Sequence, residues 1–391
     1  MRVAIASRIF EPEPSAASFR LAALATAFAE AGNDVTVLTV RPAHDAVESA
    51  ASDRRRAFHV KRFPVLRDRT GYVRGYLQYL SFDVPLFFRI LLGPKRDLVI
   101  SEPPPTTGFF VRLAAMLRRT PYAYYAADIW SDASESTGAP AFVVGVVRGM
   151  ERFAMSGARG VLSVNDGVTA RIREIAPKAR VHTVGNGIDT AVFSAEGPKM
   201  EAGRYLIYSG TASEWQGAGI FIDALERVLP EVPDARLVFL GQGSDWEALR
   251  KRASQLPDGA VEFVPTVPPT EAAAWMRGAV ASLASIRPDA GYSFAFPTKV
   301  FASWASGTPV VYAGPGPVRD FIAVHGDEAA LGADCDYELT DVTDALRHAF
   351  ARDLSDDARL ATGEWAAQNV SLNAVALRAV AALGGSKNEP A

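Results

Sequence analysis

The sequence predicts an α/β fold with two consecutive doubly wound, Rossmann-like domains, and three observations lead to this prediction. Short runs typical of buried strands alternate with helical patterns along nearly all of the 391 residues, as in proteins with parallel sheets. The alternation restarts with a new strand shortly after residue 203. A chain of this length usually forms two domains of roughly 150–200 residues each.

The first half of the chain opens with a strand–helix–strand unit. RVAIAS (2–7) predicts a strand, FRLAALATAFAEAG predicts a helix that Gly32 ends, and DVTVLTV (34–40) predicts a second strand. Strands joined through a helix pair in parallel. Further strands are predicted at LVIS (98–101), YAYYAAD (122–128) and VLSV (161–164). We therefore predict a first domain over residues 1–192.

The second half repeats the alternation. We predict a second domain over residues 203–365, and a C-terminal helix within 366–391 that packs back on the first domain. Two such domains facing each other would enclose a central cleft, and ligands of doubly wound sheets bind at the carboxyl ends of the strands. The predicted strands are RYLIYSG (204–210), RLVFLGQG (236–243), VEFVPTV (261–267) and VASLASI (280–286).

Charge is distributed unevenly along the chain. Residues 1–190 contain 25 basic and 18 acidic residues, whereas residues 191–391 contain 16 and 26. Many of the basic residues lie within 54–74, just before the aromatic, apolar segment YLQYLSFDVPLFFRILLGPKR. Two interpretations stay open: a face that lies on an anionic membrane surface, or a buried helix flanked by solvated arginines. A nucleic-acid partner is not expected, because the pI is about 6.0 and no binding motif occurs.

The cysteine and histidine content and the length of the apolar runs narrow the class of protein further. Cys335 is the single cysteine, and the five histidines are scattered without metal-ligand spacing, so neither an intrachain disulfide nor a zinc site is expected. MRVAIASRIF begins a strand and lacks the layout of a signal peptide. No apolar run reaches the roughly 18 residues of a membrane span. We expect a cytoplasmic protein.

The segment FPTKVFASWASGTPVV (296–311) predicts the end of a loop, then a helix and a buried strand. Pro297 and Thr298 stand where the helix would begin, and Gly307 and Pro309 would end it. The positive end of the helix dipole and Lys299 would then lie at the same place. A lysine there is unfavourable unless an anion binds, so we interpret the segment as an anion site.

Six segments resemble, in the same order, motifs of the GT-B glycosyltransferases of family 4. The helix segment resembles the donor-pocket helix of that family, and N-G-I-D at 186–189 with Phe193 resembles the end of its first domain. In addition to these six, Asp128-Ile129-Trp130 is similar to a D-x-W motif in the bacterial branch that builds cell-surface polysaccharides. The other segments are EPEPSAASFRLAALATAFAEAGNDVTVLT (11–39), YSGTASEWQGAGIFIDAL (208–225), GQGSDWEAL (241–249) and VEFVPTVPPTEAAAWMRGA (261–279).

The resemblance implies a retaining, hexosyltransferase-type enzyme. It would move a sugar from a nucleotide-diphosphate sugar to a hydroxyl of a sugar or lipid-linked acceptor. This chemistry requires neither a protein nucleophile nor a metal cofactor, but it does require stabilisation of charge on the departing phosphates. The implied role is cell-surface glycan or glycolipid synthesis, peripherally on the inner face of the plasma membrane.

The resemblance also assigns candidate donor residues. Family members commonly carry two glutamates at the positions that are Phe294 and Ala302 here, so both carboxylates are missing, and Glu214 and Asp289 are alternative candidates for the ribose. Thr211 and Gln216 replace a usual arginine and lysine of the phosphate grip. The full set of donor candidates is Gly210, Thr211, Gln216, Gly217, Gly243, Val264, Tyr292, Ser293, Phe294, Pro297, Thr298 and Lys299.

Candidate acceptor or cleft residues come mostly from the first half. Asp128 follows a predicted strand, where it either caps a helix or orients the acceptor hydroxyl. Arg20 lies on the first helix and is a candidate contact for the acceptor or a phosphate. Lys299 and Asp128 are the two catalytic candidates. The acceptor set is Ser15, Arg20, Asp128, Asn186 and Gly187.

Two other functional classes stay open. The missing carboxylates motivate a non-catalytic GT-B subunit that binds a nucleotide-sugar or a partner. A sugar-nucleotide epimerase of the same fold would need several acids and histidines in the donor half, which is poor in both. Transfer or hydrolysis of a donor by the purified protein discriminates the transferase from the non-catalytic subunit.

Overall fold

The chain forms two compact α/β units. The structure, a computed structural model, describes residues 1–13, 15–42, 53–68, 71–288, 293–326 and 328–385. One unit runs from Met1 to Asn186 and resumes at Leu372, and the other is Gly187–Ser371. The divisions fall a few residues from the expected boundaries at 192 and 366.

The sheet of the first unit is parallel throughout its described strands. Its order is β3-β2-β1-β4-β5-β6-β7, so the direction of chain progression reverses between β1 and β4. We call this place the first switch point. The strands are β1 (Arg2–Ala6), β2 (Asp34–Val40), β3 (His59–Phe63), β4 (Leu98–Ser101), β5 (Tyr122–Ala126), β6 (Gly160–Ser163) and β7 (Val181–Thr183).

Helices cover both faces of this sheet. The C-terminal helix packs on α1, where Val375, Ala379 and Leu383 join Phe28 in one hydrophobic cluster. Burial of these apolar side chains stabilises the unit by about 1.5–3 kcal/mol for each large residue. The helices are α1 (Ala16–Glu30), α2 (Tyr76–Leu92), α3 (Pro105–Arg118), α4 (Trp130–Ser136), α5 (Ala141–Ser156), α6 (Asp166–Ile175) and, from the C-terminus, α14 (Leu372–Ala382).

The sheet of the second unit repeats the topology. Its order is β10-β9-β8-β11-β12-β13, again with parallel pairs. The chain reverses between β8 and β11, which we call the second switch point. The strands are β8 (Tyr205–Thr211), β9 (Arg236–Gln242), β10 (Val261–Pro265), β11 (Ala281–Ser285), β12 (Val310–Ala313) and β13 (Gly332–Cys335).

An aromatic cluster fixes the helix that the segment 296–311 predicts. Trp304 is fully buried, stacks on Phe321 and donates from its indole nitrogen to the Leu331 carbonyl at 2.7 Å. Phe301 stacks on Phe296 with ring centres 4.3 Å apart. The helices of this unit are α7 (Gly219–Val228), α8 (Trp246–Ala253), α9 (Pro269–Gly278), α10 (Thr298–Ala305), α11 (Pro317–His325), α12 (Leu339–Ala351) and α13 (Asp356–Asn369).

The apolar helix α2 has two different faces. Phe82, Leu86 and Ile90 are buried, so one face packs on the unit as the buried-helix interpretation requires. The opposite face is exposed and still apolar, which a helix at an ordinary protein–water boundary avoids. Within the described ranges, no helix is long and apolar enough to cross a bilayer.

Candidate functional site

A cavity of about 480 Å³ lies at the second switch point. This volume is within the usual range of small-molecule sites. Its walls come from the carboxyl ends of β8 and β9, the loop after β10, and the first turn of α10. The lining residues are Ile188, Phe193, Ser209, Gly210, Thr211, Gln216, Leu240, Gly241, Gln242, Thr266, Val267, Pro269, Ala272, Met276, Pro297, Thr298, Lys299 and Ala302.

Lys299 is the cation of this cavity wall. Its Nζ atom donates to the Thr211 carbonyl at 3.2 Å and lies 3.5 Å from the centre of the Tyr208 ring. The side chain is half-buried, and desolvation of its ammonium lowers the pKa of Lys299 well below its ordinary value. No acidic side chain among the described residues forms an ion pair with it. A bound anion would therefore stabilise its charge.

The start of α10 adds a second positive element. No side chain caps this helix, and its first turn contains no acidic residue, so its partial positive charge is unopposed there. Thr298 and Ala302 both line the cavity, as expected for residues one turn apart on one helix face. The helix predicted within this segment is confirmed, and it runs from Thr298 to Ala305.

Glycines bring the ends of β8 and β9 close together. Gly210 pairs with Gly241, and a Cβ atom on Gly241 would lie 2.3 Å from the Gly210 carbonyl oxygen. Gly210 has φ of 86°, and the nearest heavy atom to a Cβ there would be Cε of Lys299 at 4.0 Å. Backbone groups are thus the main surface that this edge presents to a ligand.

The loop after β8 is held in one shape by side chains. Gln216 is buried and accepts from the Ser213 amide at 3.1 Å, and its own carbonyl accepts from the Ser285 hydroxyl at 2.7 Å. The Gly217 carbonyl accepts from the Tyr337 hydroxyl at 2.6 Å. Gln216 therefore orders the loop and also lines the cavity, although it supplies no charge.

Several donor candidates lie outside the lining of the cavity. Val264 packs in a hydrophobic cluster with Leu240 and Trp275, and Gly243 is pressed against the Ala212 carbonyl. Glu214 is exposed and accepts from Ser244 at 2.7 Å. Ser293 and Phe294 are both exposed. Tyr292 and Asp289 lie outside the described residues.

A buried ion pair lies at the first switch point. Arg20 on α1 donates to a Glu102 carboxylate oxygen at 3.0 Å, and both side chains are less than 10% exposed. The hydroxyl of Ser7, which follows β1, donates to the other carboxylate oxygen at 2.6 Å. The Arg20 guanidinium also lies over the Tyr125 ring. Arg20 is therefore already neutralised by a residue that the sequence analysis did not select.

Arg8 lies beside this pair, immediately after β1. Its guanidinium carbon is 4.6 Å from the centre of the Tyr79 ring and 5.9 Å from that of the Trp130 ring. Nη1 donates to the Val73 carbonyl at 2.8 Å, whereas Nε is buried and has no hydrogen-bond partner among the described residues. Burial lowers the pKa of Arg8 from its ordinary value.

Asp128 follows β5 and lies near Arg20. Its side chain is exposed, yet surrounding protein desolvates the carboxylate enough to raise its pKa, an effect that Arg20 opposes. The cap of α4 is supplied instead by Glu151, whose carboxylate accepts from the Trp130 and Ser131 amides at 2.6 and 3.2 Å. Capping is therefore not the role of Asp128, and its carboxylate has no hydrogen-bond or ion-pair partner among the described side chains.

The remaining acceptor candidates have local roles or lie at the unit boundary. Ser15 caps α1 and accepts from the Ser18 amide at 3.1 Å. Asn186 ends the first unit and Gly187 begins the second. Among the described residues, no group of three or more histidine, cysteine, aspartate or glutamate side chains is arranged to hold a metal ion.

Two residues missed by the sequence analysis follow strands closely. Arg8 comes two residues after β1, and Glu102 comes directly after β4. The rule that ligands bind at strand carboxyl ends would have selected both. Glu151 lies in the middle of α5, and nothing in its local pattern indicates that it caps another helix.

The sequence matches two family models in series. The model of the Glycosyl transferase 4-like domain matches residues 16–187, and that of the Glycosyl transferases group 1 matches residues 203–351. Together the two matches span most of the chain. The chain therefore belongs to the GT-B glycosyltransferases of the family 4 type, which confirms the resemblance. No protein of curated function matches the sequence.

Solved structures show the same fold. HepE of Anabaena in complex with UDP gives a TM-score of 0.68 at 15% identity, covering 98% of this chain and 100% of that one. Sucrose-phosphate synthase from Thermosynechococcus elongatus gives 0.68 at 13% identity, covering 97% of both chains. WaaG, a glycosyltransferase involved in lipopolysaccharide biosynthesis, gives 0.62 at 17% identity, covering 97% and 98%. The predicted GT-B fold is thus confirmed.

Proposed function

We propose that this glycosyltransferase takes its sugar from a nucleotide-diphosphate sugar bound at the second switch point. The observation that carries the proposal is Lys299, a cation without an acidic partner among the described residues, in the wall of a cavity of about 480 Å³. The uncapped start of α10 lies beside it. Both features favour an anion, and a diphosphate is the anion that a sugar donor would bring.

The same features suit the chemistry of transfer. Negative charge grows on the leaving diphosphate as its bond to the sugar breaks, and fixed positive groups stabilise that charge. Lys299 and the first amides of α10 are placed to do so without rearrangement, because the aromatic cluster around Trp304 holds the helix. We propose retention of configuration, with attack by the acceptor hydroxyl on the face that the diphosphate leaves.

The nucleotide would be held largely by backbone groups. Ala302 lines the cavity where the family resemblance places a carboxylate, so a ribose hydroxyl would find no side-chain acceptor at that position. The close ends of β8 and β9 present carbonyl and amide groups instead. HepE, which shares the fold, was solved with UDP and with UDP-glucose, which supports a nucleotide-sugar donor for this chain.

The acceptor would bind at the carboxyl edge of the first sheet. Asp128 is exposed there and does not cap a helix, and its pKa is raised, so its carboxylate is suited to accept a hydrogen bond from an attacking hydroxyl. We propose a sugar or lipid-linked acceptor in cell-surface glycan synthesis. The fold of WaaG, a lipopolysaccharide glycosyltransferase, supports this role.

The exposed face of α2 supports docking on an anionic membrane surface. It carries Tyr76, Leu77, Val84, Phe88 and Leu92, which are between 38% and 77% exposed. Arg74 precedes the helix and Lys95 follows it, and both are exposed. Apolar side chains between basic residues are typical of a surface that inserts among lipid headgroups.

Lys299→Ala tests the donor site. It should weaken binding of a nucleoside diphosphate about tenfold to a hundredfold, because a charged hydrogen bond is worth about 1.5–3 kcal/mol, and it should weaken nucleoside binding little. Titration calorimetry with UDP, GDP, ADP and dTDP and their nucleosides measures both. Lys199→Ala, which removes an exposed lysine paired with Asp356, is the matched control and should change neither.

Proton uptake tests the same contact independently. A bound diphosphate would raise the depressed pKa of Lys299, so binding should take up protons between the free and bound pKa values, which calorimetry in two buffers of different ionisation enthalpy detects. Equal losses for nucleosides and diphosphates, without proton uptake, would contradict the donor site. Donor binding without transfer or hydrolysis would point to the non-catalytic subunit.

Liposome co-sedimentation tests the membrane surface. We expect the protein to sediment with anionic vesicles at low salt and to be released by salt, because exposed charges are screened within about 8–10 Å at physiological ionic strength. Replacing Leu77, Val84 and Phe88 with serine should abolish sedimentation. Val324→Ser changes an exposed apolar residue of the second unit and should leave sedimentation unchanged. An equal loss of sedimentation in this variant would contradict the proposal.

A further inference from the structure

One cation at the first switch point has no carboxylate in contact with it in the part of the chain that the structure describes. Of the two arginines there, Arg20 is paired with Glu102 at 3.0 Å. Arg8 forms no ion pair with any described acid, and its one hydrogen bond goes to the neutral Val73 carbonyl. Asp83, Glu102 and Glu13 act on Arg8 only through longer-range electrostatics.

The simplest alternative interpretation of Arg8 is a solvated surface arginine, and its surroundings differ from those of such a residue. The guanidinium is half-buried against two aromatic rings, Tyr79 and Trp130, which are themselves in edge contact with ring centres 5.9 Å apart. Nε is buried and has no acceptor among the described residues. A buried or half-buried charge that lacks a counterion is costly unless a ligand supplies one.

The position of these groups is set by the fold. Arg8 follows β1, and Trp130 begins α4, whose first two amides are held by the fully buried Glu151. Tyr79 lies on α2, on the turn before Asp83. Three separate elements therefore converge on one guanidinium at the edge where a doubly wound sheet binds ligands.

We propose that Arg8 binds an anionic group of the acceptor, a phosphate or a carboxylate, with Tyr79 and Trp130 as the walls of that subsite. The inference rests on the proposed function, because it assigns the acceptor side of the same transfer. Arg8 presents a planar set of donors suited to either oxyanion. The acceptor is thus an acidic sugar or a phosphate-linked sugar or lipid, and not a neutral glycan.

Pyrophosphate binding tests the subsite apart from catalysis. Titration calorimetry at low salt with inorganic pyrophosphate should find two sites in the wild-type protein, one in Arg8→Gln, one in Lys299→Ala and none in the double variant. Arg8→Gln should weaken its site tenfold or more. Arg8→Lys, which keeps the charge, should retain most of the binding.

A matched control separates charge recognition from packing. The Arg112 guanidinium lies over a single ring, that of Phe153, and like Arg8 it donates to one backbone carbonyl. Arg112→Gln should leave both sites intact. If Arg8→Gln and Arg112→Gln behave alike, the inference is overturned, while loss of one site in Lys299→Ala would still support the donor proposal. If Lys299→Ala keeps both sites while Arg8→Gln loses one, the donor site is overturned and the Arg8 site stands.

Further probes identify the anion. Methyl phosphate and glucuronate, titrated into Lys299→Ala, distinguish a phosphate from a carboxylate, and binding of either that depends on Arg8 supports the inference. Glucose is the neutral control. If glucose binds as tightly as both anions, and Arg8→Gln does not weaken its binding, the inference is overturned.

Discussion

The two sheets reverse chain direction at equivalent places, between β1 and β4 in one unit and between β8 and β11 in the other, but different groups occupy these places. The first switch point is filled with charged side chains, of which Arg20 and Glu102 are buried and paired. The second consists of glycines, backbone edges and one lysine beside a cavity.

If the proposed function holds, the difference represents two ways of building a ligand site on one topology. Where side chains supply the recognition, Arg20 is neutralised by Glu102, whereas Arg8 would receive its counterion from the ligand. Where the backbone supplies it, close approach of strands is what matters, so the second depends on residues without Cβ atoms. Side-chain changes should therefore be most damaging in the first unit and backbone changes in the second.

Glu102→Gln should have the largest effect. It leaves the buried Arg20 guanidinium without a counterion, and breaking a buried pair in this way costs about 3–5 kcal/mol of folding free energy. Glu135→Gln is the control, because Glu135 pairs with Arg148 at an exposed site where such pairs are worth about 0.2–1 kcal/mol. Denaturant unfolding measures both, and similar losses would remove the contrast between the two switch points.

Gly241→Ala should be the most damaging small change at the second switch point. Its new methyl group would lie 2.3 Å from the Gly210 carbonyl oxygen, and φ is 138°, so we expect a loss of about 2–4 kcal/mol from overpacking and backbone strain together. Gly259→Ala isolates the strain, because φ is 82° there but nothing lies within 4 Å. Equal shifts in thermal stability would show that close strand approach is unimportant.

Asp83→Asn should change how stability depends on pH. Asp83 is fully buried on α2 and accepts from Thr107, and burial raises its pKa to about 6, above the unfolded value of about 3.9. Its contribution to stability is therefore complete below about pH 4 and lost as pH rises through about 6, roughly 2–3 kcal/mol in all. The asparagine variant should lack this loss.

The control for Asp83 has the opposite sign. Asp97 is partly exposed just before β4, and the Arg2 amide holds its pKa below the ordinary value. Its contribution is therefore present at neutral pH and lost as the solution becomes more acidic. Unfolding curves of both asparagine variants between pH 3 and pH 8 should diverge from the wild type in opposite directions, and parallel curves would contradict the assignment.

Ala302→Glu should give the smallest effect and the only gain. Ala302 lines the cavity that we propose binds the donor, one turn after Thr298, so a carboxylate there should accept from a ribose hydroxyl and raise nucleotide affinity about tenfold, or about 1.4 kcal/mol. Ala302→Gln, of similar size but uncharged, should gain less. A loss of affinity in both would mean that the space at Ala302 is already needed for the nucleotide.

Much of the fold could be predicted because its determinants are local. The alternation of buried strands and amphipathic helices recurs in both halves, and Pro297, Gly307 and Pro309 mark α10 by their own backbone preferences. The donor candidates nearest α10 line one cavity, as a helix beginning at Thr298 requires. Val264, by contrast, lies on a strand whose sequence alternation does not reveal that it packs against Trp275.

The sequence by itself therefore determined the fold class, the family and the place of Lys299, since each follows from spacing along the chain. Only the tertiary structure decided which charges have partners. Arg20 is separated from Glu102 by 82 residues, and Arg8 is also far along the chain from Tyr79 and Trp130. No local pattern could therefore show that Arg20 is neutralised while Arg8 has no ion-pair partner among the described acids. Electrostatic pairing depends on distance in space, which is settled when β1, β4 and the helices around them pack together.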